Sequence, residues 1–445
     1  MPTQIAAVIM AGGLGTRMRS QLPKHLHPLL GKRLVDWVIA AAGAIGTERL
    51  VVVTSPESAS AYDGSVEVAV QERPLGTGDA AATALAALEG FEGGVLIIPG
   101  DAPLVTAEML EDLVAAHTAG GADVTLLTFT SPTPLPYGRI VRDESGNVAR
   151  IVEERDATDE ERAVEELNAS YYVFDAASLG RALEQLDADN AQGELYLTDA
   201  VESIVAAGGR AVAHRSEADP VSLTGVNTRA DLAQAAAALR DRINEGHLLA
   251  GVTIVDPQTA WIDDSVELEA DSTVQPFTVL KGATRVAAGA EIGPHAVAHD
   301  ADIGPSALVG PFCYLRPGTV LAAGAKAGTF VEIKNTHVGE RSKVPHLSYI
   351  GDADIGEDSN IGAGAITANY PHQPGLPKQR TKIGKNVRTA VHNAFVAPVD
   401  IGDDSWTAAG TVVTDDVPPG SLAGFPPRQV TKEGYVSAKR DDDDD

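Results

Sequence analysis

Two stretches of this chain carry residue types that could do chemistry. The first, MAGGLGTRMRSQLPKHLHPLLGK from Met10 to Lys32, clusters glycine with two cations. Gly12, Gly13 and Gly15 leave backbone N–H groups free to approach a phosphate closely, and a helix start behind them favours anions. Arg17 and Lys24 supply positive charge within reach of the same phosphates. The spacing is not that of a Walker loop, and the whole string is more specific than a bare GxG. The second stretch, KVPHLSYIGDADIGEDSNIGAGAITANY, runs from Lys343 to Tyr370 and sets His346, Tyr349, Asn360, Asn369 and Tyr370 on a ladder of Val and Ile. A lone histidine in a turn is more often a solvated residue. His346 has chemical company, and imidazole is poised near neutral pH to act as a general base.

The elements that must position these residues fall into two rhythms. Residues 1–227 alternate β-rich runs (IAAVIMAGG, RLVVVTS, GGVLIIPGD, DVTLLTF) with helical stretches (RLVDWVIAAAGAIG, GTGDAAATALAAL, TAEMLEDLVAAHTAG). Such alternation predicts an α/β domain with a parallel sheet covered on both faces. The Ala-rich segment 228–250 reads as one linker helix. From Gly251 the period becomes six: Leu268, Val274, Leu280, Val286, Ile292 and Ala298 keep strict step. After one-residue slips the frame resumes at Ile303, Val338 and Ile355, and beyond a Pro-rich insertion at Ile383. A sustained hexapeptide repeat predicts a parallel β-helix over 251–432. Residues 433–445 form an acidic tail, expected to be solvated and disordered.

The repeat also places side chains. Three rungs close one coil, so residues one coil apart lie about 4.8 Å apart. Arg316 and Lys334 are second residues of rungs three apart and stack on one edge, with Tyr349 arriving one coil later. Two cations and a tyrosine at one edge suit a sugar phosphate.

Composition narrows the class. The 445 residues are 44% hydrophobic, with a formal net charge of -28 and a single cysteine, Cys313. That charge opposes nucleic acid or an anionic membrane as general partners. No apolar run is long enough to span a bilayer, and the N-terminus reads as a buried strand rather than a signal peptide. One cysteine excludes an intramolecular disulfide framework and fits a reducing cytoplasm.

Taken with QERPLGTGDA, PGDAPL, YGRI, IVEERDAT, ELNASYY, GELYLTD and GVNTR, the motif order resembles the sugar-nucleotide pyrophosphorylases. Within them it is similar to the bifunctional UDP-N-acetylglucosamine pyrophosphorylase/glucosamine-1-phosphate N-acetyltransferase family, over almost the whole chain. The resemblance implies a Rossmann-like nucleotidyltransferase domain followed by a left-handed β-helix. In it, Arg17 and Lys24 stabilise the transferring phosphoryl group, and Gln71, Gly76 and Thr77 read uracil. Asp101 and Asn227 ligate Mg²⁺, while Gly138, Glu153 and Asn168 hold the amino sugar. His346 is the base; Arg316, Lys334, Tyr349 and Asn360 bind glucosamine-1-phosphate; Asn369, Tyr370 and Ala409 contact acetyl-CoA. UTP and N-acetylglucosamine-1-phosphate complete the substrates, and a homotrimer is expected. Three departures stand out: Ser170 where relatives have glycine, Pro371 opening a longer loop, and Ala390-Val391-His392 where relatives have Gly-Ser-Asp. They leave a second reading, nucleotidyl transfer alone with the prism serving trimerisation. The intact Arg316, Lys334, His346, Tyr349 and Asn360 set opposes it.

Overall fold

The computed structural model describes residues 4–13, 15–62, 64, 66–132, 135–371, 375–424, 429 and 431–433. Beyond Glu433 the acidic tail therefore lies outside the described residues. The chain divides into two compact units, Met1–Leu239 and Arg240–Asp445.

In the first unit the strands are β1 (Ile5–Ala11), β2 (Arg49–Thr54), β3 (Glu67–Val70), β4 (Gly94–Pro99), β5 (Val124–Thr130), β6 (Arg139–Arg142), β7 (Val148–Val152), β8 (Glu166–Asp175) and β9 (Ala211–Arg215). They pair in the order β9-β5-β8-β4-β1-β2-β3. The sheet is mixed, which corrects the expectation of a parallel one. Strand β8 runs antiparallel to both β4 and β5. The physical reason is its connection: β8 is reached through the β6–β7 hairpin rather than a crossover helix, and a hairpin route reverses the chain. Alternation along β1 then builds two cores. Ala6 and Val8 face one with Val51, Val53, Val95 and Ile97, while Ala7 and Ile9 face the other with Val52, Leu96 and Ile98. Helices α1 (Leu34–Ala44) and α3 (Ala107–Gly120) cover the second of these; α2 (Thr77–Ala87), α4 (Ala176–Leu183) and α5 (Leu197–Ala206) cover the first.

The second unit is a three-sided parallel β-helix. Its first face stacks short strands from Thr253–Ile254 to Lys343–His346 and resumes at Arg388–Thr389, Trp406–Thr407 and Leu422–Ala423. The second face runs from Trp261–Ile262 to Val412–Val413, the third from Glu267–Leu268 to Val399–Ile401. Pairs such as Val279↔Val297 and Val297↔Tyr314 show why the sequence frame slips: coils close with 18 or 17 residues. The apolar repeat positions fill the interior, with Val274, Leu280, Ile292, Leu315, Ile333, Val344, Ile361 and Phe395 each 0% exposed. Leu268, in the opening coils, is only partly buried. The first coil is closed by Asn244, whose amide donates to the carbonyls of Pro257 (2.8 Å) and Ala260 (3.1 Å).

At the corner between first and second faces the chain repeatedly turns through left-handed backbone, at Phe277, His295, Phe312, Phe330 and Leu347, with φ between 49 and 57°. The three phenylalanines and His295 stack there as an exposed ladder, with ring centroids 4.7, 4.8 and 5.3 Å apart.

Candidate functional site

A cleft of about 720 Å³ opens in the first unit where β1 and β4 end, the usual ligand position of an α/β sheet. Its wall includes Gly12, Gly13, Gly15, Arg17, Lys24, Gln71, Gly76, Thr77, Asp101, Gly138, Glu153 and Asn227. Local geometry explains several of these. Gly15 sits at φ 63°, and a Cβ there would come within 2.5 Å of the Lys24 Cβ, so only glycine lets Lys24 pass into the cleft. Gln71 is buried and already directed: its Nε2 donates to the Gly76 carbonyl (3.1 Å) and to Asp79 (2.8 Å). Thr77 is spent on structure, its hydroxyl oxygen accepting from the backbone N–H of Leu197 (3.0 Å).

Asp101 and Asn227 come together through a backbone bond, the Val226 N–H donating to the Asp101 carbonyl at 2.8 Å. The Lys24 ammonium contacts the Asp101 carboxylate and donates to Asn227 Oδ1 at 3.0 Å, and Arg17 reaches that same oxygen at 2.8 Å. Two hard oxygen donors thus converge on the Lys24 ammonium, and a pair of this chemistry could hold a small hard cation that keeps its other ligands as water and phosphate. Among the described residues no group of three or more His, Cys, Asp or Glu is placed to hold a metal ion. His25, in the same wall, is driven down to a pKa of about 4 by burial and stays neutral. Burial also raises the Glu153 carboxyl, against a hydrogen bond from Thr198 at 3.1 Å.

Asn168 behaves differently. It is 1% exposed and absent from the cleft wall; Ala169 and Ser170 line it instead. Its carbonyl oxygen accepts from the Ser170 N–H (3.1 Å) and its amide donates to the Tyr172 phenol (2.6 Å), across a break in the β8–β5 register. Ser170 adopts φ 64°, a left-handed backbone that glycine takes without steric cost.

On the prism, Arg316 and Lys334 stack on the edge between second and third faces: Leu315 pairs with Ile333, and Lys334 with Gly351. Arg316 is ion-paired to Glu332 at 2.7 Å, which holds its guanidinium more firmly protonated. A third cation, Lys378, joins them from the Pro-rich insertion. Its proximity lowers the affinity of the Lys334 ammonium for its proton. The sequence offered no route to Lys378, because the insertion has no repeat frame to place it. Asn369, on the same edge, is buried with its amide on the Asp352 carboxylate, which also takes the Asn335 amide at 2.5 Å; Tyr370 beside it is 76% exposed.

His346 lies across the second face, at its corner with the first. A chain of backbone bonds runs down that corner: Gly364 N–H to the His346 carbonyl (3.3 Å), His392 to Ala363 (2.7 Å), Gly410 to Val391 (2.9 Å). His346, Ala363, Val391 and Ala409 therefore form one column, spanning three interstrand steps or about 14 Å. Ala363 was reachable from the sequence by the same coil arithmetic that links Arg316 to Lys334. Tyr349 projects from the second face between the corner and the cationic edge, opposite Glu332. Asn360 does not join them: it bridges Lys343 and Arg388 on the first face. Nor do Asn369 and Tyr370 share an edge with Ala409. Asn393, next to the Val391 departure, is 1% exposed and committed internally, to the Ala408 carbonyl (2.8 Å) and the Thr407 hydroxyl (2.5 Å).

Known proteins resemble the chain over both units. The MobA-like NTP transferase domain family matches residues 7–203. The chain is 46% identical to a protein of Mycolicibacterium vanbaalenii named bifunctional protein GlmU, covering 98% of this chain and 93% of that one. The protein of the same name from Streptomyces coelicolor is 46% identical, over 98% and 94%. That from Corynebacterium efficiens is 44% identical, again over 98% and 94%.

Proposed function

The chain belongs to the GlmU family of bifunctional proteins, and from that premise we propose how its two units divide the synthesis of UDP-N-acetylglucosamine. The prism moves the acetyl group of acetyl-CoA onto the amine of glucosamine-1-phosphate. The N-terminal unit then transfers UMP from UTP to N-acetylglucosamine-1-phosphate and releases pyrophosphate. The reading in which the prism only assembles subunits is not favoured, since the bifunctional relatives match over both units.

In the prism, Lys334, Lys378 and Arg316 hold the sugar phosphate at one edge of the second face. The sugar lies along Tyr349, with its amine at the opposite corner. His346 takes a proton from the amine as its lone pair attacks the thioester carbonyl; the bond to sulfur breaks and the thiol leaves with a proton. The small column Ala363, Val391 and Ala409 suits the narrow pantetheine arm of acetyl-CoA running away from His346. Asn369 and Tyr370, on the other edge, and Asn360, on the first face, reach this floor from a neighbouring copy. A homotrimer is supported by that split and by the exposed apolar ladder Phe277, Phe312 and Phe330, 47 to 58% exposed.

In the N-terminal unit the Gly12–Arg17 loop and Lys24 cradle the phosphates, with uracil against Gln71, Gly76 and Thr77 and the sugar against Gly138 and Glu153. Asp101 and Asn227 are the residues that would hold Mg²⁺, whose charge favours attack at the α-phosphate. Lys24 leaves these two oxygens for phosphate when the nucleotide arrives. Positioning and charge neutralisation carry this reaction, without a covalent nucleophile. A cytoplasmic location fits these substrates and the one buried cysteine, Cys313.

The observation that carries the reading is the cationic edge Arg316, Lys334 and Lys378 facing His346 across one prism face. A thiol-release assay with glucosamine-1-phosphate and acetyl-CoA tests it, alongside pyrophosphate release from UTP. His346→Ala must lower the first by about 10²-fold or more and spare the second; equal thiol release by variant and wild type sinks the assignment.

A further inference from the structure

We propose that Asp352, with Arg380, clamps the end of the Pro-rich insertion and so delivers Lys378 to the sugar-phosphate edge. Both are then positioning residues for the acetyl-transfer reading, on which this inference rests. Lys378 needs such a clamp because the insertion keeps no repeat frame to fix it. The clamp begins on the next residue. The Gln379 N–H donates to the Asn369 carbonyl and the Thr381 N–H to the Asp352 carbonyl, each at 3.1 Å. Between them, Arg380 forks onto the Asp354 carboxylate (2.9 and 2.6 Å) and reaches the carbonyls of Ala353 (2.9 Å) and Asn335 (3.2 Å).

Asp352 is the centre of this arrangement. It is 6% exposed, and its carboxylate takes the amides of Asn335 and Asn369, which lie one coil before and one coil after it. A carboxylate only accepts, so both amides are turned towards it and neither can flip. Its own N–H donates to the Lys334 carbonyl at 3.0 Å. One residue thus ties the strand that carries Lys334 to Asn369, whose carbonyl holds Gln379, and to Thr381 beyond the insertion. The network also borders the floor of the site: a Cβ on Gly351 would fall between the Tyr349 phenol and the Asn369 amide nitrogen. Because amides hold the carboxylate, the ammonium protons of Lys334 and Lys378 are left for a phosphate.

A double-mutant cycle tests the clamp. Asp352 sits at φ 50°, so Asp352→Gly removes the carboxylate without backbone strain. Losing a negative charge cannot by itself weaken the binding of an anion, whereas losing the clamp must. Thiol release is measured against glucosamine-1-phosphate concentration for wild type, Asp352→Gly, Arg380→Met, Lys378→Met and each of the first two combined with Lys378→Met. Pyrophosphate release from UTP and N-acetylglucosamine-1-phosphate reports intact protein. Asp352→Gly and Arg380→Met should each raise the KM for glucosamine-1-phosphate by about tenfold, the loss of one charge-assisted contact. Neither should raise it further once Lys378 is methionine, since the clamp then has no cation to deliver. Losses that multiply in the double variants, or an unchanged KM in the single ones, overturn the proposal. If Asp352→Gly does not fold, the Arg380→Met cycle decides. A wild-type protein that releases no thiol would sink the acetyl-transfer reading and this inference with it, whereas an active wild type with multiplying losses sinks this inference alone.

Discussion

Replacing Lys378 by methionine isolates the cation that sequence reasoning did not find. Three positive groups gather at the prism edge, but Arg316 already carries the Glu332 carboxylate at 2.7 Å. Two cations, Lys334 and Lys378, are left to meet a sugar phosphate bearing nearly two negative charges. Lys378→Met removes half of that uncommitted charge while keeping the length and apolar bulk of the side chain. The loss of one charge-assisted contact at an open edge should raise the KM for glucosamine-1-phosphate by roughly tenfold, with kcat changed little. A second readout follows from Lys334. Its proton is held less tightly because Lys378 lies beside it, so the variant should bind that proton more firmly. The high-pH limb of sugar-phosphate binding then moves to higher pH. Steady-state thiol release over a series of pH values measures both, and added salt should weaken wild-type binding more than that of the variant. Unchanged KM with an unmoved pH profile would refute the reasoning; so would an equal loss of uridylyl transfer, which would point to general damage.

Three further outcomes follow from the same geometry. His346→Ala should reduce acetyl transfer by about 10² to 10⁴-fold, the usual loss for a general base, and pyrophosphate release should be unaffected. Val391→Ser adds a hydroxyl to the column at a residue 45% exposed; the KM for acetyl-CoA should fall by a few-fold, as one modest hydrogen bond allows, and a rise would show that the column does not hold the thioester arm. Asp199 is pushed up to about 6, chiefly by burial and then by Glu202 and Glu153. A carboxyl raised in the folded state favours folding when protonated, so its contribution is present at low pH and is lost as pH rises from about 4 through 6. Asp199→Asn should flatten that slope and raise stability at pH 7.5 by about 1 kcal/mol after solvent screening, read by chemical denaturation; a steeper slope would contradict it.

The repeat made the prism unusually legible. Apolar residues at period six can only be buried together if three rungs close a coil, and the same arithmetic stacked Arg316 on Lys334. It also separates Asn360 from Tyr349, because Ile350 and Ile361 head rungs two steps apart and therefore different faces. The N-terminal sheet was less legible. Buried strands read alike whichever way they run, so direction followed from the β6–β7 hairpin. Asn168 shows the limit most sharply: the residue itself is in place in its motif, yet a register break and the Tyr172 phenol turn its amide inward and leave Ser170 in the cleft.

What the sequence determined by itself was local or periodic: the glycines that admit Lys24, the hexapeptide frame, the family motifs in order, and the chemistry open to His346. Tertiary structure decided how residues far apart in the chain share charge and direction. Lys24 meets Asp101 and Asn227 through loops that only the sheet brings together, and Lys378 reaches Lys334 from an insertion without register. The reason is physical: propensity and periodicity act over a few residues, whereas electrostatics and hydrogen bonding act over a few ångströms, and only the fold converts one distance into the other.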